Sequence, residues 1–194
     1  METTHQSSSS STEMTTHPLD TPWSLWFHFN NDYNWGLDSY HKIATIHTVE
    51  EFWSMYSRWN EILPDISENL FFLMKGDIPP IWENELNLSG GCFSFRVAKL
   101  NTYSAWTELS MATIGNTLGV DLDTMDSING ISLSAKKHYN IVKIWNNNSS
   151  LDTMEQFTQI SFLNYEKGIY KKHTDSIQYD KQKKTKSTTT TTSY

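Results

Sequence analysis

Residues 71–98 read FFLMKGDIPPIWENELNLSGGCFSFRVA, and this stretch decides the fold. FFLMKG (71–76) is a short apolar run closed by glycine, the pattern of a strand. CFSFRVA (92–98) alternates, with Phe93, Phe95 and Val97 on one face and Cys92, Ser94 and Arg96 on the other. Between the two strands runs a loop punctuated by Pro79, Pro80, Gly90 and Gly91, and it carries Trp82 directly followed by Glu83.

Working outward, WSLWFHF (23–29) is a strand that places Trp23, Leu25, Phe27 and Phe29 on one face. Thr48 with Glu51 three residues later forms a capping box that opens the helix VEEFWSMYSRW, with Phe52, Tyr56 and Trp59 at helical spacing. AWTELSMATIGNTLG (105–119) is an amphipathic helix ended by glycine. GISLSAKKHYNIVKIWN gives two strands joined by a turn near residues 138–140. LDTMEQFTQISFLNYEKG (151–168) reads as a third helix, with Leu151, Met154, Phe157 and Phe162 as buried candidates, and IYKKHTDSIQY closes the domain as a late strand or loop. Short strands with three interspersed helices predict an α+β fold, an antiparallel sheet backed by helices on one face. The ordered domain is expected over 17–179, between a Ser/Thr-rich disordered tail (1–16) and a basic, then Thr-rich disordered tail (180–194).

Charge bounds the function. With a net charge of −7 and a pI near 5.4, the chain is a poor general binder of nucleic acid, so any such contact is small and local. Aromatics at 13%, with eight tryptophans, are high for a soluble domain and suit a protein that uses rings on its surface as well as in its core. The single cysteine excludes an intramolecular disulfide and a CxxC metal site. No apolar run reaches the roughly 18 residues of a membrane span, and the polar N-terminus lacks a signal-peptide core. The expected compartment is the cytoplasm, with the nucleus in addition. HExxH, GxSxG and P-loop patterns are missing, so neither catalytic residues, nor a metal, nor a cofactor is expected.

Trp35 (in NDYNWGLDSY) and Trp82 both stand in loop sequence. Two flat, electron-rich rings and the Glu83 carboxylate are the parts needed to hold a positively charged purine: the rings sandwich the base, and the carboxylate accepts from the N1–H and N2–H of a guanine. The alternative is that both tryptophans are packing residues. Lys136 and His138 share a strand face with Ser132 and Ser134, opposite Ile131, Leu133 and Ala135. After the turn, Ile141, Lys143 and Trp145 share a face opposite Val142 and Ile144.

HPL (17–19) followed by WSLWF, then TVEEFWSMY, IPPIWENE, SGG, and KIW ending at Trp145, occur in the order and spacing of one family. Over roughly 17–176 the chain resembles the eukaryotic translation initiation factor 4E family of mRNA cap-binding proteins. The resemblance implies a curved antiparallel sheet shaped like a cupped hand, with three helices on its convex face. It implies a monomer that binds the 7-methylguanosine cap of mRNA in the hollow. It also implies a partner on the helical back, an initiation factor 4G-like scaffold or a 4E-binding protein peptide. By the same resemblance Trp35 and Trp82 are the stacking rings, Glu83 reads guanine, and Trp145 touches the N7-methyl group. Lys136 and His138 fall on phosphate-contacting positions. His17, Pro18, Val49, Trp53, Glu108 and Met111 match the scaffold-binding patch.

Three residues depart from the family pattern. Cys92 stands where the family has a phosphate-binding arginine, Ile141 where it has a further phosphate lysine, and Thr107 where it has a leucine of the scaffold patch. Lys143, on the same side as Ile141, is the candidate substitute for the missing lysine. Phosphate recognition is therefore expected to be thinned, and Cys92→Arg to restore it. Two alternatives to a translation initiation factor follow from the departures: a cap-binding translational repressor or decoy, and a protein–protein adaptor that has lost cap binding.

Overall fold

Alternating apolar residues are what close this sheet. The computed structural model describes residues 16–63, 65–66 and 68–190. Seven strands occur among them: β1 (Pro18–His28), β2 (His41–Thr48), β3 (Leu70–Lys75), β4 (Gly91–Val97), β5 (Ile128–Ala135), β6 (Asn140–Asn146) and β7 (Ile169–Lys172). They form one antiparallel sheet in the order β2-β1-β3-β5-β6-β4-β7. Register shifts in β1 between Leu25 and Trp26, and in β5 between Ile128 and Gly130, are irregularities of the kind that bend strands, and the sheet is cupped.

The period-two pattern separates two apolar clusters. Trp23, Leu25, Phe27, Phe71, Leu73, Phe93, Phe95, Val97, Ile131, Leu133, Val142 and Ile144 point to the convex side. There they meet α1 (Val49–Tyr56) through Phe52, Met55 and Tyr56, and α2 (Trp59–Ile62) through Trp59. They also meet α4 (Thr102–Ile114) through Ala105, Trp106 and Leu109, and α5 (Leu122–Ser127) through Met125. Each fully buried side chain of this size contributes about 1.5–3 kcal/mol, so the layer contact supplies most of the driving force for folding. The concave side has a smaller cluster of Leu70, Phe72, Met74, Cys92 and Trp145, flanked by Tyr40 and Trp82.

Local signals act as expected at several points. Thr48 accepts from the Glu51 backbone N–H and caps α1, while the Glu51 side chain reaches back to the His47 N–H at 2.6 Å. Gly90 is required by contact, because a side chain there would strike the backbone of Asn146. Gly130 lets β5 pass against Leu73 and Met74.

Four expectations are corrected. Residues 151–168 do not form a helix. They hold two short 3₁₀ turns (Met154–Gln156 and Tyr165–Lys167), and the segment is stitched to the loop between α4 and α5 by Thr158 N–H to Leu118 O and Val120 N–H to Gln156 O. The apolar spacing that suggested a helix includes Phe162, which has a φ of 67° and is 49% exposed, a conformation no helix contains. The helix that follows α4 on the convex face is α5, opened by Asp121 accepting from the Thr124 N–H. Phe29 lies beyond the end of β1 and is exposed. The segment expected to be disordered from 180 is instead helical to Thr190, within α6 (His173–Thr190). Residues 1–15 and 191–194 of the two expected tails lie outside the described residues.

Candidate functional site

A cleft of about 830 Å³ opens on the concave face. Its floor is the sheet: Leu70 and Phe72 of β3, Ser132 and Ser134 of β5, and Lys143 and Trp145 of β6. One wall is the 33–40 loop with Trp35 and Tyr40. A second is the proline loop with Pro80, Trp82 and Glu83, continuing into α3 (Glu85–Leu88). α6 adds a third wall with Ile177, Asp180, Lys181 and Lys183. Loops rimming a rigid sheet are where binding side chains are most readily placed.

The two loops are held by their own polar groups. Asn87 donates to the carbonyls of Pro79 and Ile81 at 3.0 and 2.9 Å, which fixes the turn that presents Trp82. In the other loop, Asp32 accepts from the Asn34 N–H and the Asn34 side chain from the Gly36 N–H. Behind Trp35 the buried His28 ring stacks at 4.6 Å and 3°. Its Nε2–H donates to the Asn34 carbonyl at 2.9 Å, and Ser39 donates to that same carbonyl. One face of Trp35 is thus supported, while the residue stays 54% exposed.

The structure brings together most of the residues singled out in the sequence. Trp35, Trp82, Glu83, Lys136, Lys143 and Trp145 all line the cleft. Trp35 is exposed and is no core residue, while Trp82 is half-buried, packed against the concave cluster and open to the cleft. Glu83 is exposed and makes no hydrogen bond to the described residues, leaving both oxygens available to a ligand. Trp145 is nearly buried, with its Nε1–H donating to Ser132 Oγ at 2.9 Å, so it contributes to the floor as a fixed ring. The Lys143 ammonium lies 5.7 Å from the Trp82 ring centroid. Partial burial, and then Lys143 nearby, hold the Lys136 ammonium below its ordinary pKa.

His138 is corrected. β5 ends at Ala135, and Lys136–Tyr139 form a turn closed by Lys136 N–H to Tyr139 O, so the strand alternation stops before His138. The imidazole lies exposed on this turn and does not line the cleft. Arg96, four residues beyond Cys92, stacks on Tyr139 at 4.8 Å, likewise outside the cleft.

Cys92 is buried beneath the root of α6. Its thiol meets His173, not His138: Sγ and Nε2 are 3.9 Å apart. Burial pushes the Cys92 thiol up to about 12, so it stays protonated and inert at neutral pH. Burial, and then the Lys143 charge, bring His173 down to about 4. An arginine at position 92 would have to displace His173, which is 1% exposed, packs on Trp145 at 4.9 Å and donates its backbone N–H to Gly90 O. Cys92→Arg should therefore destabilise the fold, read as a lower urea midpoint, instead of restoring a phosphate contact.

His173 also sets a pH dependence. In the unfolded chain the imidazole protonates near pH 6.5, whereas the folded protein resists protonation down to about 4. Its contribution is present above pH 6.5 and is lost as pH falls toward 4, up to about 3 kcal/mol in all. Urea unfolding at pH 7 and pH 4.5 should show wild type losing more stability than His173→Asn over that interval. Equal losses would mean that the imidazole is not held neutral.

On the convex side, Val49 and Trp53 of α1 and Met111 of α4 are exposed, and Tyr56 Oη donating to Ser110 Oγ at 2.8 Å ties the two helices. Trp53 is 46% exposed, which excludes simple core burial. His17 leads into Pro18 at the start of β1, and its backbone N–H and Nδ1 both meet the Glu50 carboxylate, which that partner holds down at about 2. Glu108 is partly committed already, accepting from the Ser161 N–H at 2.9 Å. Thr107 is half-buried, and its hydroxyl has no hydrogen-bond partner among the described residues.

Sequence reasoning missed His28, Tyr40 and the α6 residues. The α6 signal was present, since Ile177, Asp180 and Lys181 stand at helical spacing, but the segment is too polar for an apolar periodicity to mark it.

The hollow of the cupped antiparallel sheet thus gathers the exposed Trp35, the half-buried Trp82, the fixed ring of Trp145, an uncommitted carboxylate and lysines. The chain belongs to the eukaryotic initiation factor 4E family, whose model matches residues 18–190. Eukaryotic translation initiation factor 4E of Dictyostelium discoideum is 32% identical over 138 residues, 66% of this chain and 52% of that protein. Factor 4E-1 of barley (Hordeum vulgare) is 31% identical over 187 residues, 89% of this chain and 81% of that one. The chain thus spans as little as about half the length of the curated relatives it matches. The solved complex of C. elegans eIF4E-3 with the 4E-binding protein Mextli and cap analog is similar at a TM-score of 0.70 and 25% identity, covering 84% of this chain and 95% of that one. The complex of Ascaris suum eIF4E-3 with m2,2,7G cap is similar at a TM-score of 0.59 and 29% identity, covering 70% and 76%.

Proposed function

We propose that this protein binds the 7-methylguanosine 5′ cap of mRNA and presents the message to an initiation factor 4G-like scaffold, or to a 4E-binding protein peptide, in translation initiation in the cytoplasm. The observation that carries the reading is the convergence of Trp35, Trp82 and Glu83 on one cleft beside Lys136 and Lys143. Methylation at N7 makes guanine a cation. Stacking supplies roughly 1–3 kcal/mol per ring, and a desolvated cation–π contact adds up to about 2. Lys136 and Lys143 face the phosphate chain. The protein acts by binding, not by transforming the cap, and works as a monomer. Support also comes from similar solved structures, which are complexes of those proteins with cap analog and the 4E-binding protein Mextli, or with m2,2,7G cap.

Retention on 7-methylguanosine resin with release by free cap analogue tests the cap arm, and flow-through would leave the adaptor alternative. The docking arm rests on exposed Val49, Trp53 and Met111, an apolar patch suited to an amphipathic peptide helix. Trp53→Ala should cost more than about 1 kcal/mol in binding of a scaffold-type helical peptide, with resin retention unchanged. Loss of both activities together would contradict a separate docking face. A repressor that recruits no productive scaffold is the second reading. It is favoured by Thr107 and by the partial commitment of Glu108 to Ser161; a protein that binds cap resin but carries no scaffold peptide would establish it.

A further inference from the structure

The cleft has one wall that the phosphate-site residues of the sheet do not explain. Helix α6 runs from its root at His173 along the concave side and sets Ile177, Asp180, Lys181 and Lys183 on the cleft. Residues 177, 180 and 181 follow the three-and-four spacing of one helix stripe, and 183 flanks it. The root is firmly placed. His173 donates its N–H to Gly90 O, packs on Trp145 and touches Cys92, and Ser176 is buried. Lys171, just before the helix, lies 5.2 Å from the Tyr179 ring.

The sheet that floors the cleft is poor in charge. Cys92 is a buried thiol, Ile141 is aliphatic, Arg96 stacks on Tyr139, and His138 is outside the cleft, which leaves Lys136 and Lys143. With α6 the cleft gathers four lysines against the carboxylates of Glu83 and Asp180. Glu83 follows Trp82, Lys143 lies 5.7 Å from the Trp82 ring centroid, and Lys181 and Lys183 add their charge from the α6 wall.

We propose that α6 is a phosphate-binding wall: Lys181 and Lys183 contact the polyphosphate chain of the bound nucleotide from the helix while Lys136 and Lys143 contact it from the sheet side, and replace the cations that Cys92 and Ile141 remove from the sheet. The proposal rests on the cap-binding reading, since it assigns the ligand's anionic chain once the base is in the ring site. The helix adds phosphate recognition without touching the base, so it tunes preference by phosphate number and not by methylation.

The test is a titration of the full chain with 7-methylguanosine mono-, di- and triphosphate, followed by tryptophan fluorescence at two salt concentrations. The parent, the double variant Lys181→Glu/Lys183→Glu, and Lys172→Glu (exposed on β7 and outside the cleft) are compared. The double variant should lose at least tenfold in triphosphate affinity, lose much less for the monophosphate, and show a salt slope lower by about two. Lys172→Glu should behave as the parent. An unchanged triphosphate affinity overturns the assignment. So does an equal loss for all three nucleotides, which would make α6 a structural wall, and so does tighter binding, which would make it an obstruction. A parent that does not prefer 7-methylated over unmethylated nucleotide refutes the base reading itself; a parent that does, with its triphosphate gain surviving the double reversal, refutes only the role of α6.

Discussion

Trp82→Ala should weaken binding of a 7-methylguanosine nucleotide by about 1–3 kcal/mol from lost stacking, with up to about 2 more from the lost cation–π contact. The fold should survive the substitution. Trp82 sits in a loop whose turn is set by Asn87 holding the carbonyls of Pro79 and Ile81, not by the indole. It is also only an accessory to the small concave cluster, while the main core lies on the other side of the sheet. Far-ultraviolet circular dichroism should therefore match the parent, while fluorescence titration shows the affinity loss. An unchanged affinity would remove Trp82 from the base site. The same substitution should abolish part of the fluorescence quenching on binding, because one of the stacked indoles is gone.

Glu83→Gln is the second large effect. The glutamine keeps the size of the side chain but loses the charge and turns one acceptor into a donor. That donor would face the N1–H or N2–H of guanine, so a loss of about 1.5–3 kcal/mol is expected. Glu83 is exposed and bonded to no described residue, so the loss belongs to the ligand and not to the fold. Preference for 7-methylguanine over 7-methyladenine should shrink, because adenine lacks the donors that the carboxylate reads. An unaltered preference in competition titrations would take Glu83 out of the site. The two variants also separate two contributions: Trp82→Ala acts on any flat cation, whereas Glu83→Gln acts on the identity of the base.

Much of this architecture can be read from residues that do one job. Phe93, Phe95 and Val97 alternate strictly and are all buried against the helices, because a half-buried antiparallel strand leaves its pattern in the sequence. Thr48 and Glu51 mark the start of α1 because a cap is a local interaction. Trp82 and Glu83 are legible for a related reason: two prolines and a glycine pair force a loop, and a tryptophan in a loop has little to pack against.

The misreadings fall where tertiary contacts decide. Residues 151–168 carry apolar residues at helical spacing, yet Thr158 and Val120 exchange backbone bonds with Leu118 and Gln156, and Phe162 takes a left-handed conformation. His138 follows the alternation of β5 in sequence, but the turn begins at Lys136, one residue past the strand. α6 was hidden by its polarity. It is held by His173 and Ser176 at one end, and its remaining described side chains are largely exposed, so no apolar stripe marks it. The burial of Cys92 under that helix could not be inferred without it, and this is why a substitution that looks like a restored phosphate contact is a packing clash.

Discrimination of a cationic purine by the cleft is the property on which the proposed function stands. Its most direct test is a titration of the unmodified full chain with 7-methylguanosine triphosphate and with guanosine triphosphate under identical salt and pH. The two ligands differ by the N7-methyl group and the positive charge it creates, so a cation–π contact worth up to about 2 kcal/mol predicts tighter binding of the methylated nucleotide, by up to about thirtyfold, with quenching of tryptophan fluorescence. Equal affinities, or binding of both without quenching, would contradict the account.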